Sequence, residues 1–135
     1  MTHSHAIVWM DSREAHVFRF SADDVDRQRI RSRNPFRKVH HKAGAIGAGH
    51  VHLDHRYFED IAAALNGVEE WLLTGPGIAK NEMARHVEQR LPDLKSKLCG
   101  LNACDHPTDG ELIDQARWAF KSIDRMRPNS AEPVR

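Results

Sequence analysis

The chain has 135 residues, of which 40% are hydrophobic and 29% are charged, and its formal net charge is +1. This length suits one domain that buries roughly two-thirds of the surface of its unfolded chain, and the composition is typical of a soluble globular protein. No run approaches the ~20 apolar residues that span a bilayer, and the N-terminus lacks a basic stretch followed by an apolar one. We therefore expect a cytoplasmic protein with no membrane partner.

The first third of the chain predicts three strands. Apolar residues 6–10 and alternating residues 15–20 flank a polar turn, which is the pattern of a hairpin. Residues 26–32 alternate again, so four arginines share one face if this segment is extended, at intervals of roughly 6.5–7 Å. These are Arg27, Arg29, Arg31 and Arg33. The pattern predicts a basic strand at an edge of the sheet.

The next segment, KVHHKAGAIGAGHVHLDH (residues 38–55), is rich in histidine and glycine. It has no acidic residue before Asp54, although the chain as a whole is nearly neutral. One concentrated basic segment in such a chain indicates an anionic partner, most often nucleic acid, although a solvated polar face is the simpler alternative.

The second half of the chain alternates helices and strands. We predict helices from Asp54 to about Leu65, over 79–90 and over 109–126, with strands at 70–74 and 97–103. Thr108 and Glu111 form the pattern of a capping box. The order β-β-β-α-β-α-β-α implies an α/β fold with a mixed, twisted sheet of about five strands, the later ones parallel.

These elements define a single domain over 1–126, a mobile basic loop at about 36–53 and a flexible tail at 127–135. Ten side chains on the apolar faces should form the core. They are Trp9, Val17, Phe20, Leu65, Trp71, Leu73, Val87, Leu98, Leu112 and Phe120.

The turn Gly75-Pro76-Gly77 follows a buried strand and opens a helix, with Lys80 close behind. Backbone N–H groups and the helix dipole can receive an anion at such a place. Gly75, Gly77 and Lys80 are therefore an anion-binding candidate, although tight-turn geometry alone also explains the glycines.

The histidines offer a metal-binding alternative. His50 and His52, with Asp54 or His55, could supply three ligands from one loop, but no established zinc spacing is present and the surrounding basic residues would repel a cation. Cys99 and Cys104 form no C-x-x-C pair. We therefore predict no metal and no cofactor.

Taken together, the hairpin IVWMDSREAHVFRF, the basic segment KVHHKAGAIGAGH and the turn LLTGPGIAKNEM resemble the middle domain of the archaeo-eukaryotic peptide-chain release factor and Pelota group. The same pieces are found in its bacterial single-domain relatives, which are described as translational machinery proteins. The resemblance covers residues 5–125 and implies the fold of that domain. In the release factors this loop carries a Gly-Gly-Gln tripeptide that positions water against peptidyl-tRNA. Here the stretch is Gly47-Ala48-Gly49-His50, without the glutamine.

The resemblance implies a non-catalytic translation accessory that binds the ribosome, ribosomal RNA or transfer RNA through the arginine strand and the loop. The RNA-binding candidates are Arg27, Arg29, Arg31, Arg33, Arg37, Lys38, His40, His41, Lys42, Gly44, Gly47, Gly49 and His50. An enzyme alternative is a peptidyl-tRNA hydrolase with His50 as the catalytic candidate, acting as a general base or positioning water. Self-association through the helices is also possible on this sequence, which leaves the oligomeric state open.

Overall fold

The computed structural model describes residues 5–21, 24–32 and 55–126. The five strands are β1 (His5–Met10), β2 (Glu14–Phe20), β3 (Val25–Arg31), β4 (Glu70–Gly75) and β5 (Leu98–Ala103). The four helices are α1 (His55–Ala64), α2 (Ala79–Arg90), α3 (Pro92–Lys97) and α4 (Asp109–Met126). The predicted element order is confirmed, with the short helix α3 added.

The strands form one mixed sheet in the order β3-β2-β1-β4-β5. β1, β2 and β3 are antiparallel neighbours, and β4 runs parallel to both β1 and β5. The two later strands are joined through α2 and α3, as expected for parallel strands that need a helical crossover. The predicted α/β fold with a five-stranded mixed sheet is confirmed.

Helices cover both faces of the sheet. On one face, α1 and α2 contribute Tyr57, Phe58, Ile61, Met83 and Val87 to a core with the sheet residues Val8, Val17, Trp71 and Leu73. On the other face, Leu112, Ala116 and Phe120 of α4 pack against Ile7, Trp9, Phe18, Phe20 and Leu72. Nine of the ten predicted core residues are buried, and Leu98 is half-buried against the first cluster.

Local signals account for the starts of two helices, α4 and α3. The Glu111 N–H donates to Thr108 Oγ1 at 3.1 Å and the Thr108 N–H donates to Glu111 Oε1 at 2.8 Å, so the predicted capping box opens α4. Pro92 does not simply end α2. It occupies the first turn of α3, where its missing N–H costs nothing and its fixed φ suits a helix, so a second short helix follows.

The domain boundary at 126, the loop at 36–53 and the tail at 127–135 lie at or outside the limits of the described residues and stay predictions. Cys99 in β5 and Cys104 just after it are both free thiols. Within the described ranges no helix is long and apolar enough to cross a membrane.

Candidate RNA-facing surface

The arginines of β3 lie together on one face of the sheet. Arg27, Arg29 and Arg31 pair in register with Phe18, His16 and Glu14 of β2. Directly opposed residues of antiparallel strands point to the same side, and Phe18 belongs to the face that α4 covers. All three arginines are exposed, so α4 does not cover the part of this sheet face that lies over β3. We call Arg27, Arg29 and Arg31 the arginine ladder.

One buried side chain on the opposite face accounts for which way the side chains of β3 point. Ile30 is buried against the first core cluster, and it is the one residue of β3 that is fully buried. Side chains alternate along a strand, so burying Ile30 forces its neighbours Arg29 and Arg31 to the other face. β3 lies at the edge of the sheet, as the sequence predicted.

Two rungs of the arginine ladder are held by carboxylates. Arg27 Nη1 donates to Asp109 Oδ2 at the start of α4, and both side chains are half exposed. Arg29 Nη2 lies 2.8 Å from Glu14 Oε1. The Arg31 side chain makes no hydrogen bond or ion pair with another side chain in the described part of the chain. The ladder is therefore extended and exposed, with its charge partly compensated at two of its three positions.

The hairpin turn places Glu14 beneath the ladder. Asp11 Oδ1 accepts hydrogen bonds from the N–H groups of Arg13 and Glu14 at 2.8 and 2.9 Å, which closes the turn between β1 and β2. The Tyr57 hydroxyl donates to the Asp11 carbonyl at 2.9 Å and ties this turn to α1. Partial burial alone would raise the pKa of Glu14, but hydrogen bonds from Arg29 and His16 outweigh it and hold that pKa below its usual value.

Aromatic and imidazole rings border the ladder. The Trp9 indole N–H donates to the Asp105 carbonyl at 2.7 Å, which fixes the ring at the sheet surface. The rings of His16 and His106 contact Trp9 at centroid distances of 5.6 and 5.1 Å, and His106 is largely exposed. Sequence reasoning did not single out His16 or His106, because the contacts that bring them together join distant parts of the chain.

The Gly-Pro-Gly turn makes close contacts with its own neighbours in the fold. A Cβ on Gly75 would lie 2.0 Å from the Met10 carbonyl oxygen, and Gly77 has a left-handed φ of 67°. Lys80 is 7% exposed, and its Nζ donates to the Gly77 carbonyl at 2.6 Å. These contacts explain Gly75, Gly77 and Lys80 by turn geometry. The anion-binding role of the three residues stays a prediction.

Of the remaining predicted site residues, only His55 is among the described residues. Arg33, Arg37, Lys38, His40, His41, Lys42, Gly44, Gly47, Gly49, His50 and His52 lie outside the described residues. The hydrolase alternative, which depends on His50, therefore also stays a prediction. His55 is described and begins α1, where it lies next to His86 of α2. Among residues 5–21, 24–32 and 55–126, no group of three or more His, Cys, Asp or Glu side chains is arranged so that all of them could hold one metal ion.

His86 is a residue that sequence reasoning missed. It is 4% exposed and lies one turn after Met83 on the inward face of α2, so helical spacing could have indicated its burial. Its partners, His55 and Glu59, are on another helix, and no local pattern predicts that contact.

Solved structures of Pelota, of an archaeal translation termination factor and of a translation termination-like factor share this fold. The Pelota protein of Thermoplasma acidophilum matches 96% of this chain over 36% of its own, with a TM-score of 0.56 and 20% sequence identity. The archaeal translation termination factor aRF1 matches 90% of this chain over 38% of its own, with a TM-score of 0.53 and 13% identity. Saccharomyces cerevisiae Dom34 matches 90% over 35%, with a TM-score of 0.56 and 14% identity.

The chain spans a little over a third of the length of these structures. No family model and no curated protein matches its sequence. At these identities the likeness establishes the fold, which is that of one domain in Pelota and in archaeal release factors. The fold expected from the resemblance in the sequence is thereby confirmed.

Proposed function

We propose that this protein is a cytoplasmic, non-catalytic translation factor that binds the ribosome or structured RNA through the arginine ladder and the basic segment that follows it. The observation that carries the proposal is the ladder itself, three exposed arginines on one face of an edge strand. The chain continues from this strand into residues 33–54, which hold the other basic candidates. The proposal is supported by the shared fold with Pelota, aRF1 and Dom34, the last of which is described as a translation termination-like factor involved in RNA quality control pathways.

The spacing of the ladder suits a phosphate backbone. Alternate residues of a strand lie roughly 6.5–7 Å apart, which is close to the repeat of phosphates along an extended nucleic-acid strand. Guanidinium groups bind phosphate oxygens in a bidentate manner, and hydrogen bonds between charged partners are among the strongest in proteins.

The carboxylates of the ladder do not prevent phosphate binding. Ion pairs between exposed side chains contribute roughly 0–1 kcal/mol, and Arg27 and Arg29 are 50% and 49% exposed. A phosphate can therefore displace Asp109 or Glu14 at small cost. In the protein without RNA, the two carboxylates restrict the side chains of Arg27 and Arg29, which reduces the conformational entropy that these side chains lose when they bind phosphate.

The test is the salt dependence of binding to purified ribosomes and to a structured RNA. Each phosphate contact contributes roughly 0.7–0.9 to the slope of log K against log salt. Changing Arg27, Arg29 and Arg31 together to Ala should lower that slope by about 2–3 and weaken binding steeply at low salt. The single variant Arg31→Ala is the cleanest component, since it leaves no carboxylate without its partner in the described structure.

A matched control removes the same charge elsewhere. Arg85, Arg90 and Lys95 are exposed on α2 and α3, and changing all three to Ala lowers the net charge equally. The proposal expects this control to keep most of the affinity and slope. Equal losses in the two triple variants would show that only net charge matters, and binding that is insensitive to salt would contradict the proposal outright.

A further inference from the structure

Two histidines from different helices face each other beside the first core cluster. His55 Nδ1 at the start of α1 lies 3.3 Å from His86 Nδ1 on α2. The ring of Phe58 contacts both, at centroid distances of 6.3 Å from His55 and 5.4 Å from His86. His86 is buried and His55 is exposed, so the pair has an apolar floor and one side open to water.

A carboxylate determines which nitrogen of His86 carries the proton. Glu59 Oε2 lies 2.7 Å from His86 Nε2. A carboxylate accepts but does not donate, so Nε2 bears the hydrogen and the neutral ring presents the lone pair of Nδ1 to His55. A histidine that binds a metal ion commonly donates its other N–H to a carboxylate in this way, which orients the ring and raises its basicity.

The separation of the two nitrogens fits a shared ion. Nitrogen ligands of tetrahedral zinc lie about 2.0–2.1 Å from the ion, so two of them are roughly 3.3–3.4 Å apart. The observed 3.3 Å meets this value with both rings in place. If neither Nδ1 carries a proton, the two lone pairs repel one another, and a cation between them removes that repulsion.

We propose that His55 and His86 are the two protein ligands of a binding site for zinc or a similar divalent transition-metal ion, and that Glu59 is the positioning residue for His86. The site is distinct from the proposed RNA-binding function, which does not depend on it. Two protein ligands leave at least two tetrahedral positions for water on the exposed side, one more than at catalytic zinc sites with three protein ligands. The exposed Arg56 and Arg85, adjacent to the ligands in sequence, lower the affinity, and the Glu59 carboxylate offsets part of that charge.

The experiment measures zinc binding to the full chain, without a histidine affinity tag, by competition with a chromophoric chelator and by the shift in melting temperature. We expect one ion per chain and a higher melting temperature with zinc. His55→Ala should abolish both effects. This residue is exposed, so the variant should fold, and circular dichroism without metal checks that it does.

Glu59→Gln tests the positioning role. The proposal expects zinc to bind this variant roughly 10–100-fold more weakly. A structural contact between α1 and α2 alone would change the metal-free melting temperature without changing the affinity for zinc. His106→Ala is the matched control, because it removes another exposed histidine and should leave zinc binding unchanged.

Two results would overturn the proposal. One is wild-type protein that binds zinc no more tightly than the His55→Ala variant, which would make the pair a plain hydrogen bond between helices. The other is zinc binding that survives His86→Gln but is lost when His50 and His52 are both changed to Ala. That outcome would assign the metal to the loop histidines considered from the sequence.

Discussion

The two edges of the sheet have opposite chemistry. β3 reads VDRQRIR and exposes three arginines, whereas β5 reads LCGLNA and has no charged side chain. Charges on an edge strand discourage pairing with another chain, and an uncharged edge lacks that protection. One sheet therefore combines an edge that carries three exposed arginines and an uncharged edge whose last three residues are exposed.

The β5 side depends on close backbone approach. At the end of β4, the Gly75 carbonyl accepts a hydrogen bond from the Cys104 N–H at 3.2 Å, directly after β5. On the other side of Gly75 the Met10 carbonyl of β1 is so near that no side chain fits. In β5 a Cβ on Gly100 would lie 3.0 Å from the end of the Leu72 side chain, which can move. Changes here should affect stability, whereas changes on the β3 side should affect binding and association.

Gly75→Ala should have the largest effect. Its Cβ would lie 2.0 Å from the Met10 oxygen, and its φ of 149° is one that residues with a side chain rarely adopt. We expect a loss on the order of 3–5 kcal/mol, because backbone strain and overpacking combine. Urea unfolding followed by circular dichroism measures the loss.

Gly77→Ala, two residues on, is the control for Gly75→Ala. It has the left-handed φ of 67° but open space around its Cβ, so it should cost only about 1–2 kcal/mol. Equal losses in the two variants would mean that the contact with Met10 is not what requires Gly75.

The sequence predicted local features of the fold but not the contacts between distant parts of the chain. Alternation alone gave the arginine face of β3, and the spacing of Thr108 and Glu111 gave the start of α4. The contacts that predicted side chains make with distant residues were not predictable. Arg27 meets Asp109 across 82 residues, and His55 meets His86 across 31. Such contacts depend on how the elements pack, which no local pattern contains.

α3 was missed for a different reason. Its six residues, Pro92–Lys97, are too short to show helical periodicity, and none of them is buried. A proline after a helix indicates an end more often than a new beginning, so the sequence favoured a single helix.

A smaller effect is expected at low pH on the β3 side. The pKa of Glu14 is lowered in the folded protein, so its contribution to stability is present above the pKa of the unfolded chain and is lost as pH falls through the folded value. For a partly exposed pair this contribution is about 0.5 kcal/mol. Between pH 6 and 3, Glu14→Gln should therefore lose less stability than the wild type in urea titrations. Parallel pH profiles for the two proteins would show that Arg29 and His16 do not stabilise the Glu14 carboxylate.

The smallest effect on stability, and the sharpest comparison of the edges, comes from exchanging their charge. Changing Arg27, Arg29 and Arg31 to Thr keeps residues that favour strands but removes the charges that oppose pairing. Leu101→Lys adds a charge to β5 at a side chain that is 41% exposed. Both variants should unfold within about 0.5 kcal/mol of the wild type, apart from the small ion pairs lost with the arginines. Light scattering during mild heating should show faster association for the threonine variant and slower association for Leu101→Lys. If the lysine slows association and the threonines have no effect, β5 is the edge through which the chains associate, and the arginines do not oppose association. If neither variant differs from the wild type, association does not proceed through either edge of the sheet.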